Sequence, residues 1–311
     1  MNTKTPTKVI VLGASGMLGS MIVDVLSRDP TLNVTATVRE KKLADQFGGQ
    51  IADVHWQLFD AAAPNLSNTL SILHGHEWVI NAIGITKPLI HEDNSFEVER
   101  AIGINSLLPY YIARQSEHSG AQVLQIATDC VFSGNKGGYE ESDEHDALDV
   151  YGKTKSLGEV YAQQVHHLRC SIIGPEPKEH KFLLDWFIGQ ALNADVNGYI
   201  NHRWNGVTTL HFAKLCLGIM TKNMALPHLH HVLPEGDITK YELLQRLAKK
   251  YHREDVTITA TEAAVSVDRT LTTTNKVLNR ELWAAAGYSR PPTVPEMFEE
   301  LADFDYRFGN Q

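Results

Sequence analysis

Cysteine is scarce in this chain. Three in 311 residues, Cys130, Cys170 and Cys216, lie far apart in apolar surroundings. An odd count without CxxC spacing argues against a disulfide framework and a zinc site, and leaves buried reduced thiols. Long hydrophobic runs are missing too: no stretch approaches the roughly 20 apolar residues of a spanning helix. The polar, threonine-rich start from Met1 to Lys8 is followed by only a strand's length of apolar residues, Val9 to Leu12, without the layout of a secretory signal. A cytoplasmic protein with no membrane partner is therefore expected. Nor is there a basic excess, since 28 Lys and Arg face 37 Asp and Glu for a net charge of −9. Without a Lys/Arg run to supply a basic face locally, no nucleic-acid partner is expected. Repeats and low-complexity segments are absent as well.

Histidine is plentiful, at 15 residues. The densest group, His228, His230 and His231 in LPHLHHVLP, reads as a short strand between prolines. Alternation puts His228 and His230 on one face, but no third ligand at suitable spacing accompanies them, so a structural strand is expected and no metal.

The first half alternates strands with helical patterns. Strands are expected at Lys8–Leu12, Asn33–Val38, His55–Phe59, Trp78–Ile83, Gln122–Ala127 and Leu168–Ile173. Helices are expected at Met17–Arg28, Lys41–Phe47, Asn65–Leu73, Glu92–Ser119 and Tyr151 to about Val165. Such alternation with short connections predicts an α/β fold, a Rossmann-type doubly wound parallel sheet with helices on both faces. After Gly174 the rhythm breaks at Pro175-Glu176-Pro177-Lys178. Helices follow at Phe182–Ala191, Thr209 to about Met220, Lys240–His252 and Val294–Phe304. The division read from this is a dinucleotide-binding domain over residues 1–174, with 206–232 returning to it. A smaller, discontinuous substrate subdomain takes 175–205 and 233–311.

Between the first strand and the first helix stands Gly13-Ala14-Ser15-Gly16-Met17-Leu18-Gly19. In this GxxGxxG spacing Gly13 permits the tight turn, Gly16 lets a pyrophosphate approach the backbone, and Gly19 allows close helix–strand packing. The helix then presents unpaired N–H groups to phosphates, and Ser15 adds a hydroxyl. At the end of the second strand, where NAD enzymes place an acid for the ribose, Arg39 precedes Glu40. Arg39 suits a 2′-phosphate, so NADP(H) is expected over NAD(H); Glu40 leaves NAD(H) open. Asp60, closing the third strand, is placed to bond an adenine amine or to cap a helix. The small residues of Asn81-Ala82-Ile83-Gly84 suit a cofactor lying across the sheet edge.

Tyr151-Gly152-Lys153-Thr154-Lys155 sets Tyr151 and Lys155 one turn apart on one helix face. A neighbouring ammonium favours the phenolate, so Tyr151 is expected to pass its proton more readily near neutral pH. Thr128, ending the fifth strand, is placed to hydrogen-bond the carbonyl oxygen that Tyr151 protonates. A bare YxxxK is common on solvated helix faces, and its position after this strand is what gives it weight.

These residues resemble the extended short-chain dehydrogenase/reductase family through GASGMLG, NAIG, TDCVFSG, YGKTK and RCSIIGPE. The run from Thr128 to Glu159 is similar to its dTDP-4-dehydrorhamnose reductase-like branch, through TD-x-VF-x-G, YxE and VYGxxKxxGE. The resemblance implies that Thr128, Tyr151 and Lys155 are catalytic. It implies that Gly13, Ser15, Gly16, Met17, Arg39, Asp60 and Ala82 lie near the cofactor, and that Asn105 on the long helix helps to organise the lysine. It also puts Arg269 where members engage substrate. The chain departs from the branch at Cys130, where an aromatic is common, at Ile173 before Gly174, and at Leu148-Asp149 before Val150. It departs again across Asn201–Thr209, which looks more like relatives acting on other nucleotide-linked keto-sugars.

For a nucleotide-sugar substrate, Arg203 and Trp204 beside Asn201 and Asn205 offer a charge, a stacking surface and amides in one segment. Arg binds phosphate through two parallel hydrogen bonds. Asp129 and Lys87 complete the expected substrate side. The reaction expected is NAD(P)H-dependent reduction of a nucleotide-linked 4-keto-sugar with Tyr151 as proton donor. Two readings stand beside it: a nucleotide-sugar 4-epimerase on the same scaffold, and a non-catalytic, cofactor-binding regulatory subunit. A dehydratase is disfavoured, because Cys130 replaces the second acid after Asp129. Monomer and homodimer both remain open.

Overall fold

Val9, Ile10, Val11 and Leu12 are apolar in succession, so their strand needs cover on both faces. In the computed structural model, which describes residues 5–63 and 66–308, that strand is β1 (Thr7–Leu12), inside a seven-stranded sheet. Val9 and Val11 enter the apolar core on one face, Ile10 and Leu12 the core on the other. The strands that follow are β2 (Leu32–Val38), β3 (His55–Leu58), β4 (Trp78–Asn81), β5 (Gln122–Ala127) and β6 (Val165–Arg169). Leu229–His231 completes the sheet. The spatial order is Leu229–His231, β6, β5, β4, β1, β2, β3, with every neighbouring pair parallel. The order reverses between β1 and β4, and in a doubly wound Rossmann-type sheet this switch opens a crevice beyond the strand C-termini where ligands bind. The expected histidine strand is thus present and buried at the sheet edge, and among the described residues no three potential metal ligands gather.

α1 (Met17–Leu26) and α2 (Lys41–Gln50) connect the first strands. α3 (Leu66–Thr69) runs into a 3₁₀ turn at Leu70–Leu73; the expected start of this helix, Asn65, lies outside the described residues, as do Met1–Lys4. The long helix begins at Ser95 rather than Glu92, because the Asn94 side chain accepts from Phe96 N and Glu97 N and caps it there. It runs as α4 (Ser95–Ala101), a π-helical stretch at Ile102–Leu107, and α5 (Leu108–Ser119).

α6 (Val150–Leu157) is half as long as its pattern suggests. The chain leaves the helix at Gly158, where a Cβ would lie 2.0 Å from Asn105 O on the π-helical stretch. This packing lets the next strand begin at Val165 rather than Leu168 and end at Arg169. Ile172–Ile173, expected to extend it, instead pairs in parallel with Val207–Thr208.

Beyond the sheet come α7 (Leu183–Ile188), α8 (Thr209–Thr221), α9 (Lys240–Lys250), α10 (Lys276–Ala285) and α11 (Val294–Asp303). Capping boxes at Thr239/Glu242 and Thr293/Glu296 fix the starts of α9 and α11. α10 lies where only strands and loops are expected from the sequence. Short strands link this region: Asp195–Tyr199 with Thr257–Thr261, and His202–Trp204 between Ile238–Thr239 and Val267–Asp268. No helix is long and apolar enough to cross a membrane among the described residues.

Candidate active site

A cleft of about 470 Å³ opens at the β1–β4 switch. The glycine turn forms one wall. Gly13 has φ +83°, Gly16 N donates to Gly13 O at 3.1 Å, and Ala14 N reaches across to Thr37 O at 2.9 Å. A Cβ on Gly19 would stand 2.2 Å from Gly13 O, so only glycine lets α1 start this close to the strand. Ser15, Gly16, Met17, Arg39, Asp60 and Ala82 line the same cleft; Gly19 packs behind it. Arg39 is exposed, and Asp60 Oδ1 accepts from Ala62 N at 3.0 Å, so its carboxylate also caps a turn.

Thr128, Asp129, Cys130, Tyr151 and Lys155 line the inner end. Thr128 follows the last residue of β5, and its hydroxyl accepts from Cys130 N at 3.2 Å. Asp149 caps α6 by accepting from Gly152 N at 2.7 Å, which fixes the first turn carrying Tyr151. Lys155, one turn on, donates to Ile126 O at 2.9 Å. Burial sets the protonation states. It holds the Tyr151 phenol well above its usual range; negative charge at Cys130 or Asp129 pushes the same way, and the Thr128 hydroxyl opposes it. Burial brings the Lys155 ammonium down to about 8, against an upward pull from Glu159. The expectation that the ammonium would favour a phenolate is therefore not met. Lys155 is directed to a backbone carbonyl, and desolvation dominates, leaving Tyr151 a neutral acid. Asp129 is likewise raised by burial, opposed by Arg269 and Lys240.

Other expected site residues stand away from the cleft lining. Asn105 is buried; its amide donates to Ile85 O at 2.9 Å and Thr154 Oγ1 at 3.2 Å, and its oxygen accepts from Ile85 N. It thus ties the loop after β4 to α6 one residue before Lys155, without bonding the lysine. Lys87 pairs with Asp149 at 2.8 Å on the rim. Arg203 pairs with Asp237, and a partner 34 positions later could not be read from local pattern. Trp204, expected as an open stacking surface, is 4% exposed; its indole N–H donates to Ser171 Oγ at 2.8 Å. Asn205 accepts from Leu271 N and donates to Leu271 O. Arg269 donates to Phe132 O at 2.8 Å, close enough to Asp129 to act on its charge.

The sequence reading missed several residues at the site. Arg100, Glu176, Lys178 and Ser171 line the cleft, and Lys240 sits 5.5 Å over the Trp204 ring, its ammonium brought down to about 8 by burial. Glu176 and Lys178 share the break at Pro175-Glu176-Pro177-Lys178, the one of these places that the pattern marks; the others come from separate segments with no shared spacing.

The sheet order, the glycine turn and the cleft at the switch define a Rossmann-type α/β protein of the doubly wound class. The chain belongs to the RmlD substrate binding domain family, whose model matches residues 7–304. It is 32% identical over 155 residues to the spore coat polysaccharide biosynthesis protein SpsK of Bacillus subtilis, covering 49% of this chain and 47% of that protein. It is 27% identical over 154 residues to a dTDP-4-dehydrorhamnose reductase of Aggregatibacter actinomycetemcomitans, covering 49% and 45%. The aligned region spans about half the length of these curated relatives. A dTDP-4-dehydrorhamnose reductase of Bacillus anthracis, solved in complex with NADP, shares the fold. Its TM-score is 0.70 over 96% of this chain and 99% of that one, at 18% identity.

Proposed function

We propose that this chain is a reductase of a nucleotide-linked 4-keto-sugar that uses NADPH in preference to NADH. The observation that carries the reading is the meeting of Thr128, just past β5, with Tyr151 and Lys155 of α6 at the inner end of the cleft that begins at the glycine turn. Membership of the family, and the reductases among its relatives, support the same direction.

The residues of the turn suit a dinucleotide. A Cβ on Gly16 would meet nothing nearer than Gly13 O at 3.5 Å, and no side chain caps the first N–H groups of α1. A pyrophosphate can approach both. Arg39, exposed on the same cleft without an ion-pair partner among the described residues, suits a 2′-phosphate. We assign the large sheet, with residues 206–232 returning to it, to the cofactor, and 175–205 with 233–311 to the substrate.

A bound nicotinamide supplies the hydride. The chain's own groups manage the oxygen of the carbonyl being reduced: Thr128 donates a hydrogen bond to it, and Tyr151, held neutral by burial, gives it a proton. The Lys155 ammonium stabilises the charge left on the phenolate and must be protonated to do so. NADPH oxidation against a panel of nucleotide-4-keto-sugars tests the reading. Turnover of one of them supports it; interconverted sugars with unchanged cofactor would give the epimerase, and no turnover on any, with a stable enzyme partner captured in a pull-down, would give the regulatory subunit.

The Lys155 ammonium is present below its pKa of about 8 and lost above it. Reductase kcat/KM is thus expected to fall on the alkaline side with a midpoint near that value. A pH series at constant ionic strength reads this, and a profile flat well past the midpoint removes the ammonium from the step. Gly19→Ala, by forcing a methyl against Gly13 O, is expected to cost about 1–3 kcal/mol in the turn. Most of that should appear as dinucleotide affinity weakened about tenfold. Fluorescence titration measures it, and unchanged affinity would mean that the turn does not hold the pyrophosphate.

A further inference from the structure

One cation on the cleft has no task in this reading. After Ile172–Ile173 the chain crosses the mouth of the cleft as a strap, Pro175 to Phe182, with Glu176, Pro177, Lys178, Glu179 and Phe182 among its lining residues. Pro175 and Pro177 restrict its backbone. Glu179 and His180 adopt positive φ, 71° and 50°, a conformation that persists in such residues only where the surroundings enforce it. The enforcement is visible. The buried Glu176 carboxylate accepts from Phe182 N at 2.6 Å, Glu176 N donates to Asp185 Oδ2 at 3.1 Å, and His180 Nδ1 bonds the same Asp185 oxygen at 2.5 Å. Asp185 lies in the first turn of α7, so the strap is clipped to that helix at both ends.

The clip turns Lys178 inward. Its Nζ stands 3.5 Å from Ser15 Oγ on the opposite wall. No carboxylate among the described residues pairs with it; the strap's exposed acid, Glu179, pairs with Lys181 instead. The Glu176 carboxylate shares the cleft but is committed to Phe182 N, and burial raises its pKa. Lys178 therefore faces the start of α1, whose unpaired N–H groups carry partial positive charge. An ammonium aimed at that pole is repelled by it unless an anion lies between. An ammonium, a hydroxyl and free amide N–H groups converging from two walls are what a phosphate would bind.

We propose that Lys178 clamps the cofactor's pyrophosphate against Ser15 and the N-terminus of α1, with the strap closing over the bound dinucleotide. The inference rests on the dinucleotide reading and adds a binding residue from outside the glycine turn. It predicts that cofactor release is governed by the strap.

The test uses the full chain as wild type, Lys178→Met and Lys178→Arg, each titrated with NADPH and with NADH by nicotinamide fluorescence, with dissociation followed by stopped flow. Loss of a hydrogen bond from a charged donor predicts that Lys178→Met weakens both dinucleotides about tenfold, chiefly through faster release, while Lys178→Arg keeps most of the affinity. Unchanged affinity in Lys178→Met overturns the clamp. Weakening confined to NADPH also overturns it, by moving Lys178 to the 2′-phosphate. Wild type that binds neither dinucleotide overturns the cofactor reading and the clamp with it, and only that outcome touches the wild-type titration.

Discussion

Tyr151→Phe is expected to lower turnover by about 10²- to 10⁴-fold, the usual weight of a positioned proton donor, with dinucleotide affinity unchanged. Phenylalanine keeps the ring, which packs against the core on the α4–α5 face of the sheet, and removes only the O–H. Burial and the Asp129 carboxylate hold the phenol protonated, so it meets a carbonyl as a neutral acid with its proton in place. Steady-state kinetics on the best keto-sugar, beside a cofactor titration, separate the two effects. Full turnover in the variant would sink the assignment. Loss of affinity along with turnover would turn Tyr151 into a structural residue of the cleft.

Arg169→Met is expected to cost about 3–5 kcal/mol of stability by leaving a buried carboxylate without its partner. Arg169 is completely buried. It meets Glu159 at 2.5 and 3.3 Å, His231 and His145 each at 2.8 Å, and the Phe132 ring at 5.1 Å. It also lies in register with Ala127, the residue before Thr128, while Glu159 directly follows the Gly158 cap of α6. The pair thus ties the strand bearing Thr128 to the helix bearing Lys155. Denaturant unfolding of the single variant and of Arg169→Met/Glu159→Gln tests this, and the double variant should recover much of the loss. A single variant as stable as wild type would refute the buried-pair account. A double variant no better than the single would move the cost to the histidines and Phe132.

Where an element's cause is local, it could be read. β5 lies at Gln122–Ala127 as its apolar run indicates, and the glycine turn has the left-handed Gly13 and the tight Gly19 that its spacing requires. Where the cause is distant, it could not. The apolar pattern continues through Val160 and Ala162, yet α6 stops at Leu157, because Gly158 is pressed against Asn105 O. Arg203 and Trp204 look like ligand-binding residues in a polar stretch, but Asp237 takes the one and the core the other.

The same division runs through the candidate site. By itself the sequence determined the parallel sheet, the glycine turn and the one-turn spacing of Tyr151 and Lys155, since periodicity and backbone freedom act over a few residues. Tertiary structure alone decided the charge on those groups and the company they keep. Whether Tyr151 is an acid depends on desolvation, and whether Lys178 faces Ser15 depends on a strap clipped to α7. Both are set by segments distant in the chain, and no spacing along it records them.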